Sequence, residues 1–410
     1  MEKVLNTNPP DHKYAHPIAF MFLIMPYGIV SGYITVTLAY VYSRAGIPID
    51  NISIVSAASF LPAICSFLWA PFVDTTLSVK KWHVLATLVS GGSIIATGLL
   101  PAKASSLPFL IPVILLASFA ATFVNIATNS IMAYDTPEDK KGRAAGFLQA
   151  GNLGSAALGG GGALYLAGHL HNFWQSPLIT GAICCMSSLM LFFVKEPAVT
   201  VRVESIKRSF VNLLKDVWSM ILSRAGYMAL FLCLLPIGTG AASNLWSPVG
   251  IDWHASADTV ALVVGLGSGI ITALGCMTGG WICDIIDRKM AYIIFGLLQV
   301  VCVLAMAFTP HTENMYMLWV SIYAATTGLA YAGYTAFVLE AIGKGAAGTK
   351  VSMFTALSNI PIAAMIAFEG YGYKHWHGAN GMLYTEAVAG VVAIGLFFLV
   401  QAVSSKKALA

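Results

Sequence analysis

Charged residues are scarce in this chain of 410 residues. Only 10% are Asp, Glu, Lys or Arg, against about 25% in ordinary soluble domains. Hydrophobic residues make up 58%, and the mean hydropathy is +0.77. So little charge excludes an ordinary soluble domain, and the net charge of +4 is too small to suggest a nucleic-acid partner. The composition predicts a protein that lies in the lipid bilayer.

Cysteine motifs and a signal peptide are also missing. The seven cysteines lie in apolar runs without CxxC or zinc-ligand spacing, so we expect neither a metal nor another cofactor. The first long apolar run, at about 17–42, is too long for the core of a signal peptide and predicts a span that is retained. Clustered acids, His pairs or a Ser/His set at one membrane depth are lacking as well, which argues against an enzyme.

Apolar runs long enough to cross a bilayer, about 20 residues each, recur along the whole chain. They predict an all-α, multi-pass membrane protein with twelve spanning helices. If the N-terminus is cytoplasmic, all of the 22 Lys and Arg residues except Arg44, Lys103 and Lys374 fall on the cytoplasmic side. The positive-inside rule therefore places both termini in the cytoplasm. The predicted spans are 17–43, 52–74, 83–101, 107–134, 143–168, 175–194, 225–250, 258–283, 289–309, 315–342, 349–371 and 380–404.

The longest polar segment follows the sixth span and divides the chain in two. We predict a six-helix bundle at 1–194, an amphipathic cytoplasmic linker at 195–224 and a second six-helix bundle at 225–410. The halves also repeat short phrases. FLWAPFVD ends at Asp74 as GGWICD ends at Asp284, and FLQAGNLG around Asn152 corresponds to MFTALSNI around Asn359. Such repeats indicate two parallel, pseudo-symmetric halves.

The loop after the eighth span contains Gly280, Asp284, Arg288 and Lys289, in a pattern that resembles the signature loop of the major facilitator superfamily. The loop after the second span keeps Asp74 and a displaced basic pair. This resemblance implies two six-helix bundles that rock about a central site, with a latch at the cytoplasmic helix ends. Glycine lets helices approach closely there, and a carboxylate can hold a partner helix. The predicted gating residues are Asp74, Asp135, Gly280, Asp284, Arg288, Lys289 and Glu340.

Three phrases resemble one branch of that superfamily, which contains bacterial muropeptide permeases, siderophore permeases and acetyl-CoA transporters. They are FLWAPFVD, VKEP at 194–197 and GAAGTK at 345–350. The similarity implies proton-driven uptake of a bulky solute across a bacterial inner membrane, and we expect a monomer. One alternative is an exporter of drugs or metabolites, although the Arg of helix four and the Gly-Pro pair of helix five that are usual in drug antiporters are missing. The second alternative is a membrane sensor or scaffold that transports nothing.

No Lys or Arg falls in the middle of a predicted span, which favours a neutral, zwitterionic or cationic solute over a polyanion. In the fold that the chain resembles, helices 1, 4, 7 and 10 line the central cavity. Helix seven contains GTGAASNLWSP, which suggests a broken turn. Aromatic residues near helix ends can instead form an interfacial belt, and Asn or Thr can simply bond neighbouring helices. The predicted substrate-binding residues are Tyr33, Thr37, Asn125, Asn129, Asn152, Trp246, Tyr331, Tyr334 and Asn359.

Two glutamates lie inside predicted spans, away from the cytoplasmic rim. Glu369 and Glu386 fall at similar depth in the outer parts of helices eleven and twelve. An acid within the membrane is expensive to ionise and is functional by default. We therefore predict that these are the proton-coupling residues, with Glu369 as the first candidate. The alternative is a carboxylate at the level of the lipid headgroups.

Overall fold

The computed structural model describes residues 14–45, 61–195, 211, 215, 218, 230–342 and 347–406. Regular structure in these residues is entirely helical, and each of the twelve predicted spans overlaps a helical segment. Seven of the described helices are long and apolar enough to cross a membrane. The predicted all-α membrane fold is confirmed, while the number of crossings and the side of the termini stay predictions.

We number the helices α1 to α12 in chain order. In the first half, α1 comprises Ile18–Gly32, a π-helical turn at Tyr33–Leu38 and Ala39–Arg44. The next three helices are α2 (Ser66–Leu68 and Ala70–Thr75), α3 (Val79–Thr97) and α4 (Leu107–Tyr134). Helix α5 comprises Lys141–Ala157, a π-helical turn at Leu158–Gly162 and Ala163–His169, and α6 comprises Gln175–Ser187 and Ser188–Phe193.

In the second half, α7 comprises Ala241–Asn244, Trp246–Val249 and Gly250–Trp253. Helix α8 comprises Ala257–Val260, a π-helical turn at Ala261–Gly267 and Ser268–Ile282. The last four helices are α9 (Arg288–Ala307), α10 (Glu313–Ile342), α11 (Ala347–His375) and α12 (Ala379–Lys406).

Short polar side chains fix where several helices begin. The Ser78 hydroxyl accepts the Lys81 N–H at 3.4 Å at the start of α3, and the Asp287 carboxylate accepts the Met290 N–H at 2.9 Å at the start of α9. Each satisfies an N–H that the first helical turn leaves unpaired. The predicted linker at 195–224 lies outside the described residues except at four positions, so the domain boundaries stay predictions.

Helix α7 has an earlier helical stretch at 230–234, and two residues in the left-handed backbone region separate it from the part that begins at Ala241. Gly238 has φ of 60° and Gly240 has φ of 65°, conformations that residues with a Cβ adopt only with strain. A Cβ on Gly240 would also lie 2.6 Å from Cγ2 of Thr327 in α10. The break therefore lies against α10, and the chain turns there to place Trp246 at the start of the next helical turn.

The two halves meet along α5, which packs against α8 and α10. At the N-terminal end of α5 the approach is backbone to backbone, because a Cβ on Gly280 would lie 2.5 Å from the Gly142 carbonyl oxygen and 2.7 Å from Gly146 Cα. Small residues permit such close crossings in membrane helices. Many large apolar side chains on the outside of the bundle are exposed, among them Phe192 and Phe308, as expected of a surface that faces lipid.

Candidate functional site

Helices α5 and α10 run in opposite directions and carry three layers of functional candidates. From the predicted cytoplasmic end, α5 contributes Gly142 and Arg143 to a contact between the halves, Asn152 to an inner cavity and Gly160 to an outer cavity. At 1.5 Å per residue these layers extend over roughly 27 Å, which is close to the thickness of the hydrocarbon core.

The contact nearest the predicted cytoplasmic side is a hydrogen-bonded latch between Asp284, just after α8, and the first turn of α5. Asp284 Oδ1 accepts the Gly142 N–H at 2.7 Å, and Oδ2 accepts the Arg143 N–H at 3.1 Å and Nε–H at 2.7 Å. Only 5% of the Asp284 side chain is exposed. A helix N-terminus attracts a carboxylate through its free N–H groups and its dipole. Asp284 therefore holds the two halves together at this end.

Arg288 adds a second connection to the latch. Its Nη1 donates to Glu340 Oε2 in α10 at 3.0 Å, and its Nη2 donates to the carbonyl oxygen of Glu138 in the first half. Lys289 is half-buried beside it, and Asp135 is buried just after α4. The remaining predicted gating residue, Asp74, falls in the α2 segment but outside the residues whose side chains are described.

Above the latch lies an inner cavity of about 160 Å³ with walls from both halves. Most of the residues that line it carry a carboxamide or a hydroxyl group. Gln149 Nε2 of α5 donates to Thr335 Oγ1 of α10 at 2.7 Å, which closes the cavity between the halves. Asn129 Nδ2 donates to Asn125 Oδ1 at 2.8 Å. Of the predicted substrate-binding residues, the structure brings together here Asn125, Asn129, Asn152, Tyr331, Tyr334 and Asn359.

The outer cavity is larger, about 410 Å³, and Tyr331 lines both cavities. Its walls combine small residues of α5 and α8 with hydroxyl groups of α1, α8 and α10 and with the predicted residue Trp246. This volume falls in the range of small-molecule sites, roughly 300–1,000 Å³. Among the described lining residues of either cavity there is no Asp, Glu, Lys or Arg.

Helix α1 contributes different residues from those predicted. The Tyr33 hydroxyl is 2.8 Å from Thr97 Oγ1, and Thr37 Oγ1 donates to the Gly159 and Gly160 carbonyl oxygens at 2.9 and 2.7 Å. Both side chains are buried inside the first half. The carbonyls that Thr37 contacts belong to the π-helical turn of α5, a helical form often found at functional sites. In this conformation α1 presents Ser31 and Thr35 to the outer cavity in place of Tyr33 and Thr37.

Glu369 and Glu386 lie behind the wall of the outer cavity. Both are buried, and the two carboxyl groups are near enough to interact electrostatically. Glu386 Oε1 accepts Tyr323 OH at 2.6 Å and Gln299 Nε2 at 3.1 Å. Neither oxygen of Glu369 has a hydrogen-bond partner within the described part of the chain. Both carboxyl groups thus lie inside the protein, and their role in proton coupling stays a prediction. A buried carboxylate without a partner is costly, so the pair is suited to carrying a proton.

The sequence interpretation overlooked two glutamines at these sites, Gln149 and Gln299. A signal was available, because each lies within a predicted span and a carboxamide in a membrane helix needs a partner. Gln149 lies one turn before Asn152 and links the halves, while Gln299 bonds the carboxyl pair. Among the described residues no group of three His, Cys, Asp or Glu side chains could hold a metal ion.

Comparisons with known proteins agree with this architecture. The family model of the Major Facilitator Superfamily matches residues 18–368. Solved structures with the same fold include the E. coli fucose:proton symporter FucP (TM-score 0.70, 15% identity, 93% of this chain and 98% of that one). The proton:xylose symporter XylE (0.66, 12%, 93% and 95%) and the human organic anion transporter MFSD10 (0.69, 14%, 95% and 100%) are also similar.

One curated relative, an uncharacterised protein of Haemophilus influenzae, is 26% identical over 231 residues. The match covers 52% of this chain and 53% of that protein, so the chain spans about half the length of the relative. At the identities found for the solved structures, similarity establishes the fold alone.

Proposed function

The chain belongs to the major facilitator superfamily, and on that premise we propose that it imports a neutral solute rich in hydroxyl and amide groups, driven by a proton gradient. The superfamily is one of membrane transporters. The solute, the coupling ion and the direction are our proposal, as are the bacterial inner membrane and the monomeric state.

The observation that carries the proposal is the chemistry of the inner cavity. Asn125, Asn129, Gln149, Asn152 and Asn359 supply carboxamides there, which both donate and accept hydrogen bonds. Sugars, amino sugars and peptide bonds offer the same mixture of donors and acceptors. A cation or polyanion would meet no opposite charge among the described lining residues, which narrows the predicted solutes to neutral ones. The fucose and xylose symporters support this choice only by their common fold.

The outer cavity gives the solute a second contact region. Trp246 and Val320 belong to its apolar part, while Ser31, Thr35 and Thr327 provide hydroxyl groups. Together the cavities suit a bulky molecule with a polar end in the inner cavity and a less polar portion near Trp246. A muropeptide-like or siderophore-like solute has these properties.

Proton coupling rests on the buried carboxyl pair, Glu369 and Glu386. No ionisable group lines the solute cavities among the described residues except tyrosines, so the coupling proton needs a separate binding site. Both acids are buried, and Glu386 is connected to the cavity wall through Tyr323 and Gln299. Protonation of the pair removes a buried charge, which is the kind of change that can bias two conformations.

The latch supports the conformational part of the proposal. Asp284 and Arg143 join the halves at the predicted cytoplasmic end, so the structure represents the state closed on that side. Rocking of the halves would break this contact and open the inner cavity to the cytoplasm.

Uptake into membrane vesicles, with and without an imposed pH gradient, tests the proposal. We expect accumulation of one member of a panel of sugars, amino sugars, muropeptides, metal chelates, amino acids and drugs, and its loss on adding a protonophore.

Glu369→Gln should abolish gradient-driven accumulation but leave exchange of labelled for unlabelled solute. Glu313→Gln, which removes a partly exposed acid of the same half that lines neither cavity, is the control. Full pH-dependent uptake in Glu369→Gln would exclude this proton site, and transport of a phosphorylated solute would contradict the charge argument.

Solute recognition is tested by Asn359→Ala. Loss of one hydrogen bond, about 0.5–1.5 kcal/mol, should raise the KM roughly 2- to 10-fold with little change in the maximal rate. Ile360→Ala, whose side chain is exposed on the outside of α11, is the matched control. An unchanged KM in Asn359→Ala would place the solute elsewhere.

A further inference from the structure

One side chain, Tyr323 of α10, touches both the carboxyl pair and the wall of the outer cavity. Its hydroxyl donates to Glu386 Oε1 at 2.6 Å. Its ring is edge-on to that of Trp246, with centroids 5.0 Å apart and an angle of 85°. Tyr323 is fully buried and Trp246 lines the outer cavity. A movement of Glu386 or of Trp246 is therefore passed to the other through the rigid ring of Tyr323.

Trp246 is 2% exposed and packs in a buried apolar cluster of the second half that includes Tyr323. Its indole N–H has no hydrogen-bond partner within the described residues, and its backbone follows the break of α7 at Gly238 and Gly240. The backbone is held instead, because the Tyr316 hydroxyl donates to the Trp246 carbonyl oxygen at 2.7 Å. With the backbone fixed and the N–H unpaired, packing within this cluster, including the edge-on contact with Tyr323, sets the position of the ring.

Other groups around Glu386 define what a proton there would affect. Glu369 faces it from α11 and Tyr323 from α10, while Cys302 and Gln299 approach from α9. Gln299 Nε2 also lies 3.5 Å from Thr327 Oγ1, and Thr327 lines the outer cavity. A second, weaker connection thus links the carboxyl pair to the same cavity.

We propose that Tyr323 is the positioning residue through which protonation of Glu386 alters the solute cavity at Trp246. A hydrogen bond donated to an ionised carboxylate is roughly twice as strong as one to a neutral acceptor. The Tyr323 ring is therefore held tightly while Glu386 is charged and is released when Glu386 gains a proton. By linkage, a solute that displaces Trp246 changes the affinity of the pair for protons by the same factor. The role of Tyr323 in coupled transport rests on the function proposed above.

The fluorescence of Trp246 during a pH titration of the purified protein tests this inference with protons as the only ligand. At each pH, the Trp246 signal is the fluorescence of a protein minus the fluorescence of the same protein with the additional substitution Trp246→Phe. We expect it to change with pH in the wild type and to become independent of pH in Glu386→Gln. Tyr323→Phe keeps the ring but removes the hydroxyl that contacts Glu386. The amplitude of the pH-dependent signal should therefore fall well below that of the wild type, because protonation of Glu386 no longer acts on the ring.

Tyr316→Phe is the matched control, because it removes another buried tyrosine hydroxyl two helical turns away on α10 that bonds the Trp246 backbone and no acid. The amplitude of its pH-dependent signal should stay close to that of the wild type. An amplitude in Tyr323→Phe that equals that of Tyr316→Phe would overturn the proposal. The proposal would also be wrong if the Trp246 signal of the wild type did not change with pH. This second test does not depend on the folding of any Tyr323 variant. If this signal titrates as expected while uptake is independent of pH, the proposed function fails and the link between Tyr323 and Trp246 stands.

Discussion

The latch makes a quantitative prediction for Asp284→Asn. The substitution keeps the size of the side chain, removes its charge and leaves one acceptor oxygen for three donors, namely the Gly142 N–H and the Arg143 N–H and Nε–H. The new amide N–H₂ would also face donors. The halves are therefore expected to separate more readily at the predicted cytoplasmic end.

The magnitude follows from the hydrogen bonds that the variant loses. Hydrogen bonds to charged groups contribute about 1.5–3 kcal/mol each, and removing one partner of a buried, bonded charge costs about 2–5 kcal/mol. Arg143 is 42% exposed, so water can replace part of its interaction and the lower end applies. A loss of about 2–3 kcal/mol shifts the ratio of closed to open latch by about 30- to 140-fold. Solute affinity of the closed state should stay nearly unchanged, since Asp284 lines neither cavity.

Spin labels introduced by Asp139→Cys and Ile285→Cys report the opening, because both positions are exposed and one lies in each half. Pulsed distance measurements should show a longer, newly populated distance in Asp284→Asn, and uptake should be slower. Asp287→Asn is the control, since Asp287 lies in the same loop but accepts only the Met290 N–H of its own helix. A distance distribution identical to that of Asp287→Asn, or a large loss of solute affinity, would refute the assignment of Asp284 to the latch.

Two further predictions concern the ends of the helices. Gly280→Val should abolish the closed latch in the same distance measurement, because its Cβ would lie 2.5 Å from the Gly142 carbonyl oxygen; Gly92→Ala, with no atom within 4 Å of the added carbon, should not. At the outer end of α10, hydrogen bonds from Ser256 and Thr259 lower the pKa of Glu313 from 4.5 to about 2. This contribution to stability is therefore complete above about pH 4.5 and is lost as the pH falls through about 2. Hydrogen-exchange protection at 255–259 should fall over that interval in the wild type, and Glu313→Gln should show no such step.

Much of the fold could be predicted because each membrane helix is encoded locally. A run of about 20 apolar residues needs no partner to be recognised, so the predicted spans overlap the described helices. The phrase GTGAASNLWSP marked the break in α7 for a similar reason, since only glycine readily adopts the positive φ found at Gly238 and Gly240. In contrast, the packing of α5 against α8 and α10 depends on residues far apart in the chain.

The candidate site was only partly predictable. Asn152 and Asn359 stand out in apolar runs, and both line the inner cavity. Helix α1, however, carries two polar stripes, one with Tyr33 and Thr37 and the other with Ser31 and Thr35. Helical periodicity shows that each stripe exists, but it does not tell which one packs inside the half. The carbonyl oxygens of the π-helical turn of α5 accept hydrogen bonds from the Thr37 hydroxyl. The glycine-rich sequence of this turn does not predict that contact.

The distribution of charge separates three tasks along the molecule. Charged groups close the latch, the described cavity walls are neutral, and the buried acids lie behind Tyr323 and Gln299. If the solute is neutral and the coupling ion is a proton, the described residues offer the two no common binding group at which to compete or cooperate directly. If both are transported together, their coupling must pass through the cavity wall, and Tyr323 with Trp246 is a direct contact between the two sites. Variants of the acids should then alter the energetics of accumulation while leaving the choice of solute to the carboxamides.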